Sequence, residues 1–235
     1  MSIVRSESAN AEPAQVRIGP KLSKPGAGAC RPDHTYPPAT MPLPERRWRD
    51  EHRFDDPILI GLVSDTHVPE ARRELFEETY AALQGVDLIL HGGDMHDIVV
   101  LDWLEQRCGV PVLGVCGNGD DGSSNRTVAP DDPRLPYNQV LLIGDLKVGM
   151  THDFPDRPVR GAATLDERME RHFGGPVHVV VAGDTHVPLV KMWQGTLVVN
   201  SGSPTYPRNL NTQIGTVGFL EIRDGVVDAW IEQLH

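Results

Sequence analysis

A short apolar run that stops at a polar tip constrains the fold of this chain more than any other feature. Residues 58–63 read Ile-Leu-Ile-Gly-Leu-Val, which is too short to cross a membrane and suits a strand buried on both faces. Asp65 and His67 follow two residues apart, so an extended backbone would place both side chains on one side. This strand end therefore offers two metal ligands, although Ser64, Asp65 and Thr66 would serve equally well as a turn and cap ahead of a helix.

Apolar strands alternate with helical patterns from residue 57 onward. We expect strands at residues 58–63, 86–91, 110–116, 138–143, 146–150, 177–182, 189–193, 196–199, 216–222 and 226–231, and helices at 70–83, 98–107 and 164–173. The alternation predicts an α/β fold with a parallel core. Turn pairs such as Gly144-Asp145 and Asp224-Gly225 predict an antiparallel finish. We therefore expect a mixed two-sheet β-sandwich flanked by helices.

The N-terminal segment differs in composition from the rest of the chain. Residues 1–55 carry many prolines and few large apolar side chains, so we expect a disordered or loosely packed tail. The folded domain is then expected to cover residues 56–235. Cys30, His34 and His52 are isolated within this tail, and we assign them no ligand role.

Charge and cysteine content exclude several classes of function. A net charge of -11 at pH 7 opposes a broad nucleic-acid interface. Residues 1–10 lack the apolar core of a signal peptide, and no apolar run approaches the roughly 18 residues of a membrane-spanning helix. Three cysteines without a CxxC pair fit a reducing compartment. We therefore expect a cytoplasmic protein without a membrane anchor.

Further candidate ligands stand where the later strands are expected to end. They occur as Gly93-Asp94, Gly117-Asn118, Thr151-His152 and Gly183-Asp184-Thr185-His186. Each piece alone has an ordinary structural reading, since Gly-Asp is a common turn and Gly-Asn a common helix cap. Strand ends at one edge of a sheet converge on one crevice, however. Together with Asp65 and His67, five such pieces occur in order. Carboxylate, amide and imidazole ligands together suit Mn²⁺, Fe or Zn²⁺ better than Ca²⁺.

This ordered set resembles the calcineurin-like metallophosphoesterases, whose pattern is DxH, GD, GN, a later H, and GHxH. The spacing and the Asn-Ser-Gly-Ser-Pro segment at residues 200–204 look like the small bacterial and archaeal phosphodiesterase branch, which includes the retromer phosphoesterase-like subunit. The resemblance covers residues 57–235 and implies a four-layer αββα fold. It also implies a metal-dependent hydrolase that attacks phosphodiesters with a hydroxide held between two metals.

The resemblance assigns ligands to two divalent cations. One metal is held by Asp65, His67 and His186, the other by Asn118, His152 and Asp184, and Asp94 bridges the two. Asp94, Asn118 and His152 are also the expected catalytic residues. Asp184 departs from the family pattern, because the first His of GHxH usually stands there, although a carboxylate can still ligate through oxygen. Mn²⁺ is the expected ion, with Mg²⁺, Fe, Ni²⁺ and Zn²⁺ as alternatives.

Four neighbouring residues receive lesser roles. Gly119 stands where many relatives carry the His of GNH, so protonation of the leaving group must come from elsewhere, from bound water, or not at all. Asp120 matches the last Asp of GNHD and is expected to support the metal ligands. His91 and His96 flank Asp94, and either could donate to a metal ligand or to the substrate.

Two other readings of the same residues remain open. One is a phosphoesterase-fold scaffold for protein contacts, which loss of metal ligands would favour. The other is a hydrolase with a single metal, in which Asp184 points away from the site. The expected partner is a small phosphoester, with no stable nucleic-acid complex and no membrane, and the oligomeric state is left open.

Overall fold

The structure is a computed structural model that describes residues 15–18, 49–120, 122, 132, 134–157 and 161–235. Within them the strands are β1 (Gln15–Ile18), β2 (Arg49–Phe54), β3 (Ile58–Val63), β4 (Leu88–His91), β5 (Val112–Gly114), β6 (Asn138–Ile143), β7 (Leu146–Thr151), β8 (Val179–Ala182), β9 (Leu189–Trp193), β10 (Thr196–Asn200), β11 (Thr216–Arg223) and β12 (Val226–Gln233). The helices are α1 (Glu77–Ala82), α2 (Val99–Cys108) and α3 (Leu165–Phe173), with a 3₁₀ turn at Pro207–Asn209.

The strands form two six-stranded mixed sheets. The first has the order β1-β12-β11-β3-β4-β5, and the second has the order β2-β6-β7-β8-β10-β9. Strands β3, β4 and β5 run parallel, as do β7, β8 and β10. The hairpins β6–β7, β9–β10 and β11–β12 are antiparallel. The predicted parallel core, the antiparallel finish and the mixed two-sheet sandwich are therefore confirmed.

Alternating side chains of the central strands build the layers. In β3, Ile60 and Leu62 enter the core between the sheets, whereas Val63 packs with helices α1 and α2 on the outer face. In β8, Val179 and Val181 enter the same inter-sheet core, and Val180 packs against α3. Strands buried on both faces account for the uninterrupted apolar runs in the sequence. The order of layers is helices, sheet, sheet, helix.

Helix α3 has the sequence signals that define a helix at both ends. Thr164 accepts a hydrogen bond from the backbone of Glu167, whose side chain accepts one from the backbone of Thr164, so a capping box starts the helix. Gly174 adopts a left-handed conformation that ends it. Helix α1 is shorter than the predicted 70–83, because Phe76, directly before it, has an extended backbone with a ψ angle of 145°.

The expected unstructured tail needs a correction, because two strands lie within residues 1–55. Strand β1 pairs with β12, and β2 pairs with β6 along its whole length. In β2 the alternation is visible, with exposed Glu51 and Arg53 between half-buried His52 and Phe54. An edge strand needs only one apolar face, so its charged composition hid it from a search for apolar runs. The folded domain therefore begins before residue 56.

Other predictions about irregular segments are only partly covered. Cys30 and His34 lie outside the described residues, as does much of the polar loop expected at residues 119–136. None of the helices in the described ranges has the length and apolarity that a membrane crossing requires.

Candidate metal centre

All seven predicted ligand residues follow the carboxyl ends of strands that meet at one edge of the sandwich. They are Asp65 and His67 after β3, Asp94 after β4, Asn118 after β5, His152 after β7, and Asp184 and His186 after β8. Three of these strands belong to the first sheet and two to the second. The site is therefore formed where the two sheets face each other, and its position depends on their packing.

The first group of ligand atoms comes from the two sheets together. One ligand atom each of Asp65, His67 and His186 lies within 4.8 Å of the others. His67 Nε2 lies 3.1 Å from His186 Nε2, and His186 Nε2 lies 3.5 Å from Asp65 Oδ1. Nitrogen and oxygen atoms thus converge from three side chains, as the sequence predicted for one metal.

Asp94 lies between this group and the next. Its Oδ2 is 3.6 Å from His67 Nε2, and its Oδ1 is 3.4 Å from His152 Nε2. Asp65, Asp94 and His152 also bring ligand atoms within 4.8 Å of one another. A carboxylate with one oxygen toward each group has the position that a bridging ligand needs.

The second group surrounds the His152 ring. Asn118 Oδ1 lies 3.1 Å from His152 Nε2, and Asp184 Oδ1 lies 3.8 Å from the same nitrogen. The Asp184 carboxylate is 32% exposed, whereas the Asp65 side chain is fully buried. Asp184 therefore faces the second group while remaining accessible from outside.

The backbone of the ligand loops is not extended, contrary to the expectation for Asp65 and His67. These two residues have φ angles of 55° and 46°, and Asp184 and His186 have φ angles of 69° and 55°. Left-handed conformations are uncommon for residues other than glycine and cluster at functional sites. The two side chains of each loop therefore reach the site through a tight turn of the chain rather than through the alternation of a strand.

Backbone oxygens fix the orientation of two ligand histidines. His152 Nδ1 donates to Gly92 O at 2.7 Å, and His186 Nδ1 donates to Tyr206 O at 3.0 Å. A hydrogen on Nδ1 of each ring makes Nε2 the nitrogen that faces the site, which is the usual arrangement of metal-binding histidines.

Hydrogen bonds from outside the ligand set hold the loops together. Asp120 accepts from Gly117 N at 2.9 Å and from His96 N at 2.7 Å, which ties two ligand loops to each other. Ser203 Oγ donates to Asp65 O at 2.7 Å, and Thr205 Oγ1 donates to Thr66 O at 2.6 Å. Asp120 therefore supports the ligand loops by accepting hydrogen bonds from the backbone of two of them.

His91 supports the ligand loops through hydrogen bonds and does not belong to the groups of ligand atoms. Gly93 N donates to His91 Nδ1, and the opposite ring nitrogen contacts Thr66 Oγ1 at 3.2 Å. Complete burial lowers the pKa of His91 to about 3, so the ring is neutral. A structural role accounts for both of its ring nitrogens.

The electrostatics of the cluster favour bound positive charge. Burial raises the pKa of Asp65 to about 7, and the neighbouring carboxylates of Asp94 and Asp184 add to the rise. Burial lowers the pKa of His152, but its hydrogen bond with Asp94 and the charges of Asp65 and Asp94 outweigh this and raise the pKa to about 10. Protons are therefore retained where several buried carboxylates crowd together.

Glycine before a ligand is required by close contact between the loops. A Cβ atom on Gly117 would overlap the Asp94 carboxylate, and a Cβ atom on Gly183 would overlap Ser64 Oγ. The Gly-Asn and Gly-Asp pairs therefore reflect the packing of neighbouring ligand loops, rather than ordinary turns.

The residues present fit a pair of divalent cations. Asp65 Oδ2 is buried and has no hydrogen-bond partner within the part of the chain that the structure describes. Carboxylate oxygens, an amide oxygen and imidazole nitrogens provide hard and borderline ligands suited to Mn²⁺, Fe or Zn²⁺. Buried carboxylates without enough partners are costly unless a cation joins them.

Two features of the site were missed in the sequence. The pentapeptide Asp-Thr-His-Val-Pro occurs twice, at residues 65–69 and 184–188, and both copies supply a carboxylate and an imidazole to the site. The second feature is that residues 200–205 hold the ligand loops by hydrogen bonds. Asn200 Nδ2, for example, donates to Gly183 O at 2.6 Å. A search for internal repeats would have found the first signal.

A buried cluster of this kind, at the facing edges of two mixed sheets, has the ligand types of a divalent-metal centre. The model of the calcineurin-like phosphoesterase superfamily domain matches residues 58–225, and the chain belongs to this superfamily. A probable metallophosphoesterase of Methanocaldococcus jannaschii is 34% identical over 151 residues, which are 64% of this chain and 70% of the relative. The predicted family is therefore confirmed.

Solved structures share the fold. A solution structure of the protein TM1076 from Thermotoga maritima is 26% identical, with a TM-score of 0.54 over 75% of this chain and 99% of that one. A mutant of Vps29 from Entamoeba histolytica is 21% identical, with a TM-score of 0.53 over 76% of this chain and all of the other. The expected four-layer αββα fold is confirmed by this likeness and by the layers described above.

Proposed function

We propose that this protein hydrolyses small phosphodiesters with two divalent cations, Mn²⁺ being the preferred ion. The observation that carries the proposal is the position of Asp94, whose two carboxylate oxygens face His67 and His152 at 3.6 and 3.4 Å. This arrangement supports two adjacent metal positions that share one ligand. The M. jannaschii relative, which is named a probable metallophosphoesterase, supports the same class of reaction.

In this proposal Asp65, His67 and His186 hold one cation, and Asn118, His152 and Asp184 hold the other. When bound, such a pair activates a shared water for attack on phosphorus and neutralises the charge that develops on the phosphate oxygens. The protein keeps the ligands in place through Gly92 O and Tyr206 O, which fix the rings of His152 and His186. No protein nucleophile is needed for this chemistry.

Asp184 supports the reading with two metals over the reading with one. Its carboxylate faces His152 at 3.8 Å and does not turn away from the cluster. Its backbone N–H also donates to Asp65 Oδ1 at 3.1 Å, which ties the loop of the second metal to a ligand of the first. The carboxylate adds negative charge that a histidine would not bring, so this centre should attract a phosphate anion less strongly than one with GHxH.

The alternative is an interaction scaffold with a phosphoesterase fold. Loss of the metal-binding residues would favour it, but all seven predicted ligands lie in one cluster here.

The odd number of cysteines still favours a reducing compartment, and we keep the cytoplasm as a prediction.

The proposal is tested by hydrolysis of bis-p-nitrophenyl phosphate and p-nitrophenyl phosphate by metal-stripped protein to which Mn²⁺ is restored. We expect Mn²⁺-dependent release of nitrophenol, faster from the diester, and a loss of at least 100-fold in His152→Ala. His178→Ala is the matched control, because His178 precedes β8 at its other end and accepts a hydrogen bond from Lys147 N. Equal rates in His152→Ala and the parent protein would count against the assignment.

A further inference from the structure

The ligand loops contain a third Asp-x-His sequence in the same backbone conformation. Asp94-Met95-His96 follows β4, as residues 65–67 follow β3 and residues 184–186 follow β8. Asp94 and His96 have φ angles of 53° and 65°, within the range of 46° to 69° spanned by the Asp and His residues of all three loops. His96 occupies the position that His67 and His186 occupy in the other two loops. Both of those histidines belong to the proposed ligand set.

His96 is buried against that ligand set. Its side chain is 1% exposed, and its ring centroid lies 4.2 Å from that of His67. One ligand atom each of His67, Asp94 and His96 lies within 4.8 Å of the others. These three ligand atoms are therefore close enough to one another to bind one small cation.

The two ring nitrogens of His96 have different surroundings. Nδ1 donates to Glu70 Oε2 at 2.7 Å, just as the Nδ1 atoms of His152 and His186 donate to backbone oxygens. Nε2 is buried and has no hydrogen-bond partner among the described residues. A buried imidazole with one nitrogen fixed by a carboxylate and the other unpaired, in a ring that packs against a candidate ligand, has the form of a carboxylate–histidine–metal triad.

We infer that His96 is a further metal ligand beside His67 and Asp94, and that Glu70 fixes its ring. The inference rests on the metal centre of the proposed function and adds an eighth protein ligand to it. An additional imidazole ligand would raise the number of protein ligands at this centre, which favours a six-coordinate ion such as Mn²⁺ over Zn²⁺, which in structural sites almost always takes four.

The direct test is a crystal structure of the full chain soaked with Mn²⁺, with the ion located by anomalous scattering. A distance of about 2.1 to 2.3 Å between His96 Nε2 and the ion supports the inference. A distance above about 3.5 Å overturns it, because no coordinate bond has that length. If two ions are bound and His96 is distant, only this inference fails. If no ion binds at Asp94, the proposed function fails with it.

Calorimetric titration of metal-stripped protein with Mn²⁺ provides a second measurement. We expect Glu70→Ala to weaken one of two binding steps by roughly 10- to 100-fold, as found for the partners of metal-binding histidines. His96→Ala should weaken the same step by more, and thermal unfolding in EDTA shows whether that variant is folded. Glu74→Ala, in the same exposed segment, is the control and should bind as the parent does. Unchanged binding by Glu70→Ala and by folded His96→Ala would overturn the inference.

Discussion

Replacing Asp65 by asparagine should stabilise the metal-free protein above pH 7 while removing a proposed metal ligand. Asp65 is fully buried, and burial is the largest cause that raises its pKa from 3.8 to about 7. Asparagine has nearly the same shape, tolerates the left-handed conformation at φ 55°, and keeps an oxygen that can accept from Asp184 N. The substitution therefore removes the charge with little change in packing.

The sign and size follow from the two pKa values of Asp65. Between pH 3.8 and 7 the folded protein holds a proton that the unfolded chain has released, so metal-free stability falls as pH rises through this window. A difference of about 3 pKa units corresponds to about 4 kcal/mol, at 1.36 kcal/mol per unit. For a domain of this size, that is a Tm difference of up to roughly 8 to 16 °C.

The assay is thermal unfolding in EDTA from pH 4 to pH 9, followed by circular dichroism. Asp65→Asn should match the parent near pH 4 and melt higher at pH 8, and the control Asp145→Asn, at an exposed hairpin turn, should follow the parent throughout. Adding Mn²⁺ should raise the Tm of the parent by mass action and raise that of Asp65→Asn by less, because only one of the two proposed metal positions loses a ligand. Parallel pH curves for Asp65→Asn and the parent would refute this account of the buried carboxylate.

Three further predictions follow from the ligand positions and the corrected domain boundary. Asp94→Ala should lose both metals together in elemental analysis, because a bridging ligand belongs to both positions; retention of two equivalents would contradict the bridge. Asp184→His should move the alkaline rise of the pH–rate profile to lower pH and increase zinc occupancy, because one negative charge is removed from the centre; an unchanged profile and metal content would show that Asp184 is not a ligand. Deleting residues 1–48 should leave metal content unchanged. Deleting residues 1–55 should lower the free energy of unfolding by roughly 2 kcal/mol relative to the shorter deletion, because Phe54 no longer packs against the inter-sheet core. Equal stability of the two truncated proteins would argue against β2.

The parts of the fold that the sequence predicted are those with a simple periodic signal. Strands such as β3 and β8 are buried on both faces, so their apolar runs are continuous and their ends are easily located. Strand β2 has one large apolar residue, Phe54, and four charged residues, and pairing with β6 rather than composition defines it. Edge strands of this kind depend on contacts that are distant in sequence.

The residues of the candidate site could be listed from the sequence, but their geometry could not. The order of Asp65, Asp94 and the later ligands was sufficient to predict the family. The left-handed backbone at Asp65 and His67 was not predictable from an isolated strand end, because hydrogen bonds from neighbouring loops, including Asp65 N to Gly93 O, hold it. The contact between Asp184 and His152 likewise requires both strand ends in the second sheet to be in place.

The most direct test of a centre with two metals is the hydrolysis of bis-p-nitrophenyl phosphate during stepwise addition of Mn²⁺ to metal-stripped protein. The protein concentration must be far above the dissociation constants, so that each added equivalent is bound. Asp94, facing His67 on one side and His152 on the other, predicts little hydrolysis at one equivalent and a plateau at two. Full activity at one equivalent, or hydrolysis that continues without metal, would contradict the account.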